Sequence, residues 1–339
     1  MKIDVHTHIM PKKMPNWSKK FAYGDFLHLE HDPKCNCGNM IKGGNFFRRV
    51  EANCWDGEVR MKECEDHGID VQVLSTIPVL FNYWAKPEHA LETSRFLNDH
   101  IAETVSDNPN KFIGLGTIPM QSADVAINEM QRIKDKYSLP GIEIGTHVNG
   151  KNLNHKDLFP IFKAAEEMNM AIFAHPWDML AADRMTEYWS PWLVGMPAET
   201  TLAITSLIFG GVLEKLPNLK IMFAHGGGSY AGTLARIEHG FNVRPDIVAV
   251  DNKVNPRDYF GKIYFDSLTH DPTMLKYLVE LAGSKFVALG TDYPFPLGEL
   301  APGQIIDSIK DFDDETRQNL LWRTALDWLG LDYDFYQNI

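Results

Sequence analysis

Cysteine is scarce in this sequence, and the scarcity excludes one class of protein. Four of the 339 residues are cysteines (Cys35, Cys37, Cys54 and Cys64), too few for the disulfide framework of a small secreted domain. Cys35 and Cys37 are separated by one residue, which is closer than the spacing of a CxxC zinc knuckle. We therefore expect this neighbouring pair to be ordinary reduced thiols.

Basic residues are also in the minority. Lysine and arginine number 33 against 45 aspartates and glutamates, so the net charge is −12 and the pI is near 5.5. A surface of that sign repels polyanions, which argues against nucleic acid or an anionic membrane surface as a partner. An acidic substrate would instead need arginines placed at the site itself.

Long apolar runs and the pattern of a leader segment are also missing from the sequence. We find no apolar run approaching the roughly 18 residues of a membrane span. The chain starts with a strand pattern rather than a charged and then apolar leader. Hydrophobic residues make up 44% of the chain, with a mean hydropathy of −0.25, which is enough for a large core. We expect a cytoplasmic protein without a membrane partner, folded as a single domain over 1–339.

A repeat of short β-branched apolar runs, separated by amphipathic helical stretches, fills the chain. The apolar runs occupy 2–8, 69–76, 112–119, 141–147, 170–176, 219–227, 262–267 and 285–294. The helical stretches include 88–107, 122–136, 157–168, 199–214 and 314–329. Near-continuous apolar runs are typical of strands that are buried on both faces. Eight strand–helix units predict an α/β fold, a (β/α)8 TIM-type barrel.

The segment between the first two predicted strands is too long for a plain strand-to-helix loop. It covers roughly residues 9–55 and is rich in lysine, glycine and aromatic residues. Loops of this length are uncommon in compact domains and usually serve a function. We predict an insertion that covers the active-site mouth.

Residue types that bind metals stand at the ends of four predicted strands. The first run, KIDVHTH, ends in His6 and His8, which share one face because successive side chains of a strand alternate. The fifth, sixth and eighth runs carry His175, His225 and Asp292. Enzyme barrels place their chemistry at the carboxyl ends of the strands. The pattern therefore predicts a site for a divalent ion at this rim.

Each of these residues also has a structural interpretation when it is taken alone. His175 or His225 could be a hydrogen-bonded core histidine, and Asp292 could cap the turn at DYPFP. The coincidence of five such residues at one rim favours the metal site. Of the other histidines, His147 and His270 lie just past strand ends and could line the pocket.

The placement of these residues resembles the amidohydrolase superfamily. Many members carry a lysine at the end of strand four, whose carbamate bridges two metals, but here that strand reads GIEIGTHVNG. This departure favours one ion per chain. The resemblance implies zinc, with cobalt or iron as substitutes, on His6, His8, His175 and Asp292. It also implies that His225 acts as acid and base on the metal-activated water.

Longer segments resemble one decarboxylase group within that superfamily. The matching segments are NFFRRVEANCWD, STIPVLFNYWAKPE, HPWDM, PWLVGMPAETT, FAHGGG and LGTDYPFPLGE. That group acts on 2-amino-3-carboxymuconate 6-semialdehyde in tryptophan degradation by the kynurenine pathway. The resemblance implies nonoxidative decarboxylation of this substrate to 2-aminomuconate 6-semialdehyde.

Other functions stay open at this point. A decarboxylase or hydratase of a related aromatic or muconate acid would use the same metal centre. A hydrolase of a small lactone or amide is disfavoured by the missing lysine on strand four and by an arginine at position 48. A catalytically silent metal-binding barrel is disfavoured because the ligands and His225 are all present.

The same resemblance assigns contacts to a small dicarboxylate substrate. Arg48 matches an arginine that holds a substrate carboxylate, and the adjacent Arg49 is the fallback. A guanidinium group suits this role because it binds a carboxylate through two parallel hydrogen bonds. Trp192, with Trp177 and Trp189, could supply a flat apolar wall for a conjugated chain.

Arg236 matches an arginine that reaches the active site of the partner subunit. If this role carries over, the chain must work as a homodimer. The alternative is an intrahelical ion pair with a nearby acid such as Glu238 or Asp246.

Overall fold

A computed structural model describes residues 1–337, and its central feature is one eight-stranded parallel sheet curled into a barrel. The strands are β1 (Ile3–Ile9), β2 (Val71–Thr76), β3 (Phe112–Thr117), β4 (Gly141–Gly145), β5 (Ala171–His175), β6 (Ile221–Phe223), β7 (Tyr264–Asp266) and β8 (Val287–Ala288). Each strand pairs with the one before it. Two hydrogen bonds join β1 to the last segment, from the Val5 amide to the Leu289 carbonyl (2.8 Å) and from the His8 amide to the Tyr293 carbonyl (2.7 Å). The predicted (β/α)8 barrel is confirmed.

Strand side chains pack in two apolar layers on opposite faces of the sheet. Ile142 and Ile172 belong to the layer that packs against the surrounding helices. Val73 and Phe173 belong to a second layer that also contains Trp328, and the Phe173 and Trp328 rings lie 6.2 Å apart. Burial of both faces explains why the strands read as near-continuous apolar runs.

Helices follow most of the strands and surround the barrel. They are α1 (Trp17–Phe21), α2 (Gly57–His67), α3 (Pro87–Asp107), α4 (Ala123–Tyr137), α5 (Phe159–Glu167), α6 (Met196–Phe209), α7 (Val212–Lys215), α8 (Tyr230–Val243), α9 (Pro245–Val248), α10 (Pro272–Ala282), α11 (Gln304–Ser308), α12 (Asp314–Gln318), α13 (Thr324–Leu329) and α14 (Tyr333–Gln337). The predicted helices at 88–107, 122–136 and 157–168 correspond to α3, α4 and α5.

Two predicted helices differ from the observed ones. The stretch 199–214 is divided between α6 and α7 at a pair of glycines. Gly211 has a φ of +67°, and a Cβ atom there would lie 2.4 Å from the Asp251 carbonyl oxygen, so only glycine fits this break. The stretch 314–329 is helical throughout. A π-helical turn over Asn319–Arg323, wider than an α-helical turn, lies between α12 and α13.

The insertion after β1 forms a small sheet of its own beside the barrel mouth. Its strands are antiparallel and span His28–Asp32, Cys37–Lys42 and Asn45–Glu51. Met40 and Val50 are buried in one apolar cluster with Ile77 and Leu80, which follow β2. This packing fixes the insertion to the carboxyl end of the barrel.

The prediction that Cys35 and Cys37 are reduced thiols is wrong, because the structure joins them in a disulfide. Cys35 lies in the turn that precedes the central strand of the insertion. The chain reversal brings the two Cα atoms to 5.3 Å, within the range that a disulfide spans. Arg49 donates hydrogen bonds to both sulfur atoms, at 3.3 Å and 2.9 Å.

One helical segment contradicts the expectation that no run is apolar enough to span a membrane. Pro191–Phe209, a π-helical turn continued by α6, has 19 residues and a mean hydropathy of 1.3, so it passes that test by length and composition. Half of it is buried inside the protein. A buried core helix of a barrel has the same composition, so this helix is weak evidence for a membrane span.

Candidate active site

β1 delivers two buried imidazoles whose Nδ1 atoms are already engaged. His6 Nδ1 lies 2.7 Å from Asp266 Oδ2, and His8 Nδ1 lies 2.9 Å from the Thr76 carbonyl oxygen. Both partners are acceptors, so each Nδ1 carries a proton, and Nε2 is the atom of each ring that could bind a metal. Binding a metal through Nε2 requires the tautomer with its proton on Nδ1.

β5 and the segment after β8 complete the same arrangement. His175 ends β5, and its Nδ1 lies 2.9 Å from the Pro176 carbonyl oxygen. Asp292 follows β8 with a φ of +59°, an uncommon conformation that aims its carboxylate at the imidazoles. Its Oδ1 atom lies 3.4 Å from His6 Nε2 and 3.1 Å from His8 Nε2.

The donor set fits a divalent ion. Within the described residues, the buried Nε2 atoms of His6, His8 and His175 have no hydrogen-bond partner. One ligand atom from each of His6, His175, His225 and Asp292 falls within 4.8 Å of all the others, and the His8 ring lies 5.1 Å and 5.0 Å from the rings of His6 and His175. Buried polar atoms without partners are costly, and a cation would satisfy all of them.

The charge balance of the cluster points the same way. Burial lowers the pKa of His6, but the carboxylates of Asp292 and Asp266 outweigh it and raise that pKa to about 10. Burial lowers the pKa of His8, and it holds that of His175 well below its usual value. The pKa of Asp292 is well below its usual value because His6, His225 and His8 face it and outweigh the effect of burial. In the metal-free protein the two carboxylates therefore stabilise a proton on His6, which a cation at the centre of the cluster would displace.

His225 lies beside this cluster in a glycine-rich turn, not at the end of a strand as predicted. β6 ends at Phe223, and His225 has a φ of +57°. Its Nε2 lies 3.6 Å from Asp292 Oδ2, and its ring lies 5.1 Å and 5.0 Å from those of His6 and His175. The side chain is 15% exposed, whereas that of His6 is fully buried. His225 can therefore reach both the cluster and a bound molecule.

Asp266 is a functional residue that the sequence reasoning missed. It ends β7, and its carboxylate accepts hydrogen bonds from His6 Nδ1 and from the amides of His225 (2.9 Å), Gly226 (2.6 Å) and Leu268 (3.1 Å). One carboxylate thus fixes the ring of His6 and the backbone of His225. A single aspartate ending the apolar run KIYFDS was the available signal.

Asp4, the other acid of the first strand, faces away from the imidazole cluster. Its carboxylate accepts hydrogen bonds from the Thr291 hydroxyl (2.5 Å) and the Thr291 amide (3.1 Å), next to Asp292. Burial raises the pKa of Asp4 to about 7. Its role is to hold the segment that carries Asp292.

Strand four contributes a buried carboxyl group, from Glu143 in the middle of the strand. Glu143 is fully buried, and its Oε1 lies 3.7 Å from His8 Nδ1. Burial raises the pKa of Glu143 well above its usual value. Asp292 and Asp266, whose carboxylates hydrogen-bond to or face the imidazoles, are the carboxylates that raise the pKa of His6.

A cavity next to His175 and Asp292 contains the predicted substrate arginine. Its other lining residues include Phe47, Arg48, Ile77, Val79, Trp177, Trp189, Trp192, Met196 and Phe295. The Arg48 guanidinium lies 4.8 Å from the centre of the Phe295 ring and 5.7 Å from that of Trp192. No hydrogen bond or ion pair of Arg48 is found within the described residues. The cavity is therefore an aromatic slot with one cation free to bind an anion.

Arg49, the fallback for Arg48, points elsewhere. It contacts Cys35 and Cys37 and lies 3.3 Å from Glu51. Another cation near the slot is Lys42, whose Nζ lies 5.5 Å from the ring centre of Trp177. The sequence reasoning did not single out Lys42.

Arg236 lies outside this cavity on the exposed side of α8. The intrahelical partners considered for it are engaged elsewhere, since Glu238 pairs with Arg257 and Asp246 with Arg244, both at 2.8 Å. Over residues 1–337 the Arg236 guanidinium makes no hydrogen bond or ion pair. Within one chain it does not reach the cluster.

His147 and His270 line neighbouring cavities, not the aromatic slot. His147 Nε2 lies 2.9 Å from the Asp178 carbonyl oxygen. His270 is exposed and borders a larger opening on the other side of His225, which shares Trp192 and Met196 with the slot. The cluster is thus approached from two sides.

Comparison with known proteins identifies the family. The family model described as Amidohydrolase matches residues 3–331, and the chain belongs to this family. It is 57% identical over 336 residues to the 2-amino-3-carboxymuconate-6-semialdehyde decarboxylase of Dictyostelium discoideum, covering 99% of this chain and 93% of that protein. The protein is a decarboxylase of the amidohydrolase superfamily.

Solved structures agree on the fold. The IDCase of Metarhizium anisopliae in its apo form has a TM-score of 0.83 and 22% identity, over 97% of each chain. A dihydroxybenzoic acid decarboxylase from Polaromonas has a TM-score of 0.76 and 20% identity, over 97% of this chain and 96% of its own. That protein contains bound manganese and the inhibitor 2-nitroresorcinol.

Proposed function

We propose that this decarboxylase converts 2-amino-3-carboxymuconate 6-semialdehyde to 2-aminomuconate 6-semialdehyde in the cytoplasm, within tryptophan degradation by the kynurenine pathway. The observation that carries the proposal is the convergence of Asp292 and three imidazole nitrogens beside a slot that contains a guanidinium group. Within the part of the chain that the structure describes, neither those nitrogens nor the guanidinium has a hydrogen-bond partner. The extended similarity to the Dictyostelium enzyme supports this substrate. A related aromatic acid is the second candidate, because the slot is lined by aromatic rings.

One zinc ion per chain would be held by His6, His8, His175 and Asp292. The manganese of the Polaromonas protein shows that a related fold accepts another divalent ion, so the choice of zinc is part of the proposal. When bound, such an ion supplies a Lewis acid and lowers the pKa of water at the site.

The chain's own residues supply binding and proton transfer. Arg48 binds a substrate carboxylate through a bidentate, charge-assisted pair, and the rings of Trp192 and Phe295 hold the guanidinium in place. Loss of carbon dioxide breaks a carbon–carbon bond and leaves an electron pair on the remaining carbon, which must gain a proton. His225, partly exposed and next to Asp292, is placed to take a proton from water and return it to that carbon.

A homodimer would complete the site with Arg236 from the partner subunit. Two observations support this part of the proposal. Arg236 is exposed without an ionic partner among residues 1–337 of its own chain, and the surface near the mouth exposes large apolar side chains. These include Leu180, Tyr188, Leu193 and Val194, between 51% and 86% exposed. Exposed apolar patches of this kind mark interaction surfaces.

Carbon dioxide release from freshly generated substrate tests the proposed reaction. The wild-type protein should release one carbon dioxide per substrate consumed, and His225→Ala should lose at least about a hundredfold in kcat while keeping its metal content. His239→Ala, on the exposed side of α8, is the control and should behave as wild type. Loss of the metal from His225→Ala would make His225 a ligand and contradict the assigned role.

Subunit mixing tests the position of Arg236. Arg236→Ala and His225→Ala should each be inactive alone, and mixed dimers should recover part of the activity because one of their two sites has both residues intact. The recovery should grow with the fraction of mixed dimers. Mixed dimers without activity would show that Arg236 acts within its own subunit, and wild-type activity of Arg236→Ala alone would show that Arg236 has no role in the reaction.

A further inference from the structure

Arg60 on α2 is a fully buried cation whose role lies outside the proposed chemistry. All five of its N–H groups donate hydrogen bonds. Nη1 donates to the carbonyl oxygens of His8 (2.7 Å) and Asn53 (2.9 Å). Nη2 donates to Thr7 Oγ1 (3.2 Å) and Gln72 Oε1 (2.9 Å), and Nε donates to Gln72 Oε1 (3.2 Å). The fork is fully satisfied, which is the condition for burying an arginine.

None of these acceptors is a carboxylate. Removing a guanidinium from water without a carboxylate partner is expensive, and apolar side chains of the same volume often serve stability equally well. Stability alone therefore does not explain why this position is an arginine. The position of Arg60 between the segments that carry the site residues does explain it.

The two carbonyls that share Nη1 belong to different parts of the site. His8 is a proposed ligand at the end of β1. Asn53 lies two residues after the insertion strand Asn45–Glu51, which carries Arg48 into the slot. On a third side, the guanidinium lies 4.7 Å from the ring centre of Tyr293, the residue after Asp292.

We propose that Arg60 is a positioning residue that fixes the insertion to the end of β1 and so keeps Arg48 in register with the metal-binding cluster. This inference rests on the proposed function, because it takes Arg48 as the substrate anchor. The bridge acts through backbone oxygens, so only a side chain that reaches both carbonyls at once can make it.

Two substitutions separate positioning from stability. Arg60→Met removes the bridge but fills most of the volume. Gln72→Leu leaves two N–H groups of Arg60 without partners but keeps both bonds from Nη1, so it is the matched control. Both variants should melt at a lower temperature than the wild type. Only Arg60→Met should raise KM, by about tenfold or more, the effect of losing a charge-assisted hydrogen bond, and weaken zinc binding in a chelator competition.

The outcomes are distinguishable. Equal losses of melting temperature in the two variants, with KM and zinc affinity unchanged in both, would make Arg60 a purely structural residue. If Arg60→Met does not fold, Arg60→Gln replaces it, because its shorter side chain keeps hydrogen-bonding groups but cannot reach both carbonyls. A wild-type KM for Arg60→Gln would overturn the proposal. If the wild-type enzyme is inactive on the proposed substrate, the proposed function fails, and the zinc competition still tests the bridge.

Discussion

At the scale of single residues, the site depends on the predicted metal-binding residues and equally on Asp266, a carboxylate that the sequence did not predict. The strand-end pattern predicted His6, His8, His175 and Asp292, and the structure brings these side chains together. The role of Asp266 could not be predicted from the strand-end pattern, because that role depends on contacts with residues far away in the sequence. A pattern shows which residues end strands, whereas only the fold shows which residues orient them.

Asp266→Asn tests the importance of that orientation. The amide turns one acceptor into a donor, which then faces either His6 Nδ1 and the His225 amide or the amides of Gly226 and Leu268. We expect about a 10-fold to 100-fold loss of metal affinity or kcat, the usual effect of removing an outer partner of a histidine ligand. Asp271→Asn, at the N-cap of α10, is the control and should reduce stability slightly with unchanged kinetics. Wild-type kcat and metal content in Asp266→Asn would refute this role.

Arg48→Met and Arg49→Met distinguish the two adjacent arginines. Loss of one charge-assisted pair removes about 1.5–3 kcal/mol of binding, so Arg48→Met should raise KM by about tenfold to a hundredfold. Arg49→Met should leave KM unchanged, because that side chain faces Cys35 and Cys37 instead of the slot. Steady-state kinetics on the proposed substrate measures both effects. The reverse pattern would assign the substrate carboxylate to Arg49.

His100 predicts a pH dependence of stability that is separate from the metal site. Burial lowers its pKa to about 4, from a usual value of 6.5. In the unfolded chain this histidine therefore binds a proton below about pH 6.5. In the folded protein it binds a proton only near pH 4. The free energy of unfolding should fall as the pH drops from 6.5 to 4. His100→Gln should lose less stability over this window in denaturant titrations, and His67→Gln is the control. Equal pH profiles for His100→Gln and the wild type would contradict the prediction.

At the scale of elements, the turn after β6 has the most demanding backbone. His225 and the three glycines that follow it all have positive φ angles. Gly228 has φ and ψ of 63° and −126°, and a Cβ atom there would lie 2.4 Å from the Pro197 carbonyl oxygen. Only glycine adopts this conformation readily. The turn therefore places the imidazole of His225 at the cluster.

Gly228→Ala should destabilise the protein by more than about 1 kcal/mol, because an L side chain is strained at positive φ. It should also reduce kcat, since the turn carries His225. Gly232→Ala is the matched control, because a Cβ atom at this helical position meets no other atom. That change should stabilise α8 by about 0.5–1 kcal/mol. Thermal unfolding and steady-state kinetics of both variants measure these effects. A Gly228→Ala protein as stable and as active as Gly232→Ala would contradict the strain assigned to this turn.

The sequence predicted all eight barrel strands, but not their lengths. The sixth and eighth predicted strands span 219–227 and 285–294, whereas β6 and β8 have three and two residues. Apolar periodicity continues into the turns after these strands, because those turns are also buried. The antiparallel sheet of the insertion was not predicted, since its pairing depends on register between strands rather than on apolar content.

At the scale of the whole molecule, stability should depend on the bound ion. The buried Nε2 atoms of His6, His8 and His175, which have no hydrogen-bond partner among the described residues, destabilise the metal-free protein. An ion at a hundred times its Kd adds about 2.7 kcal/mol to the folded state. Chelation should therefore lower the melting temperature, and zinc or manganese should restore it. His175→Ala is the control and should show little response. If a chelator does not change the melting temperature of the wild-type protein, that result would contradict the metal site.

The closure between β1 and the segment after β8 also constrains biosynthesis. Asp4 is hydrogen-bonded to Thr291, 287 residues later in the chain, and this bond anchors the segment that carries Asp292. Because synthesis runs from the N-terminus, the histidines of β1 are made long before Asp292. β1 therefore has no partner on this side until the segment after β8 has been translated, and a chain that stops before Asp292 has an incomplete set of proposed ligands.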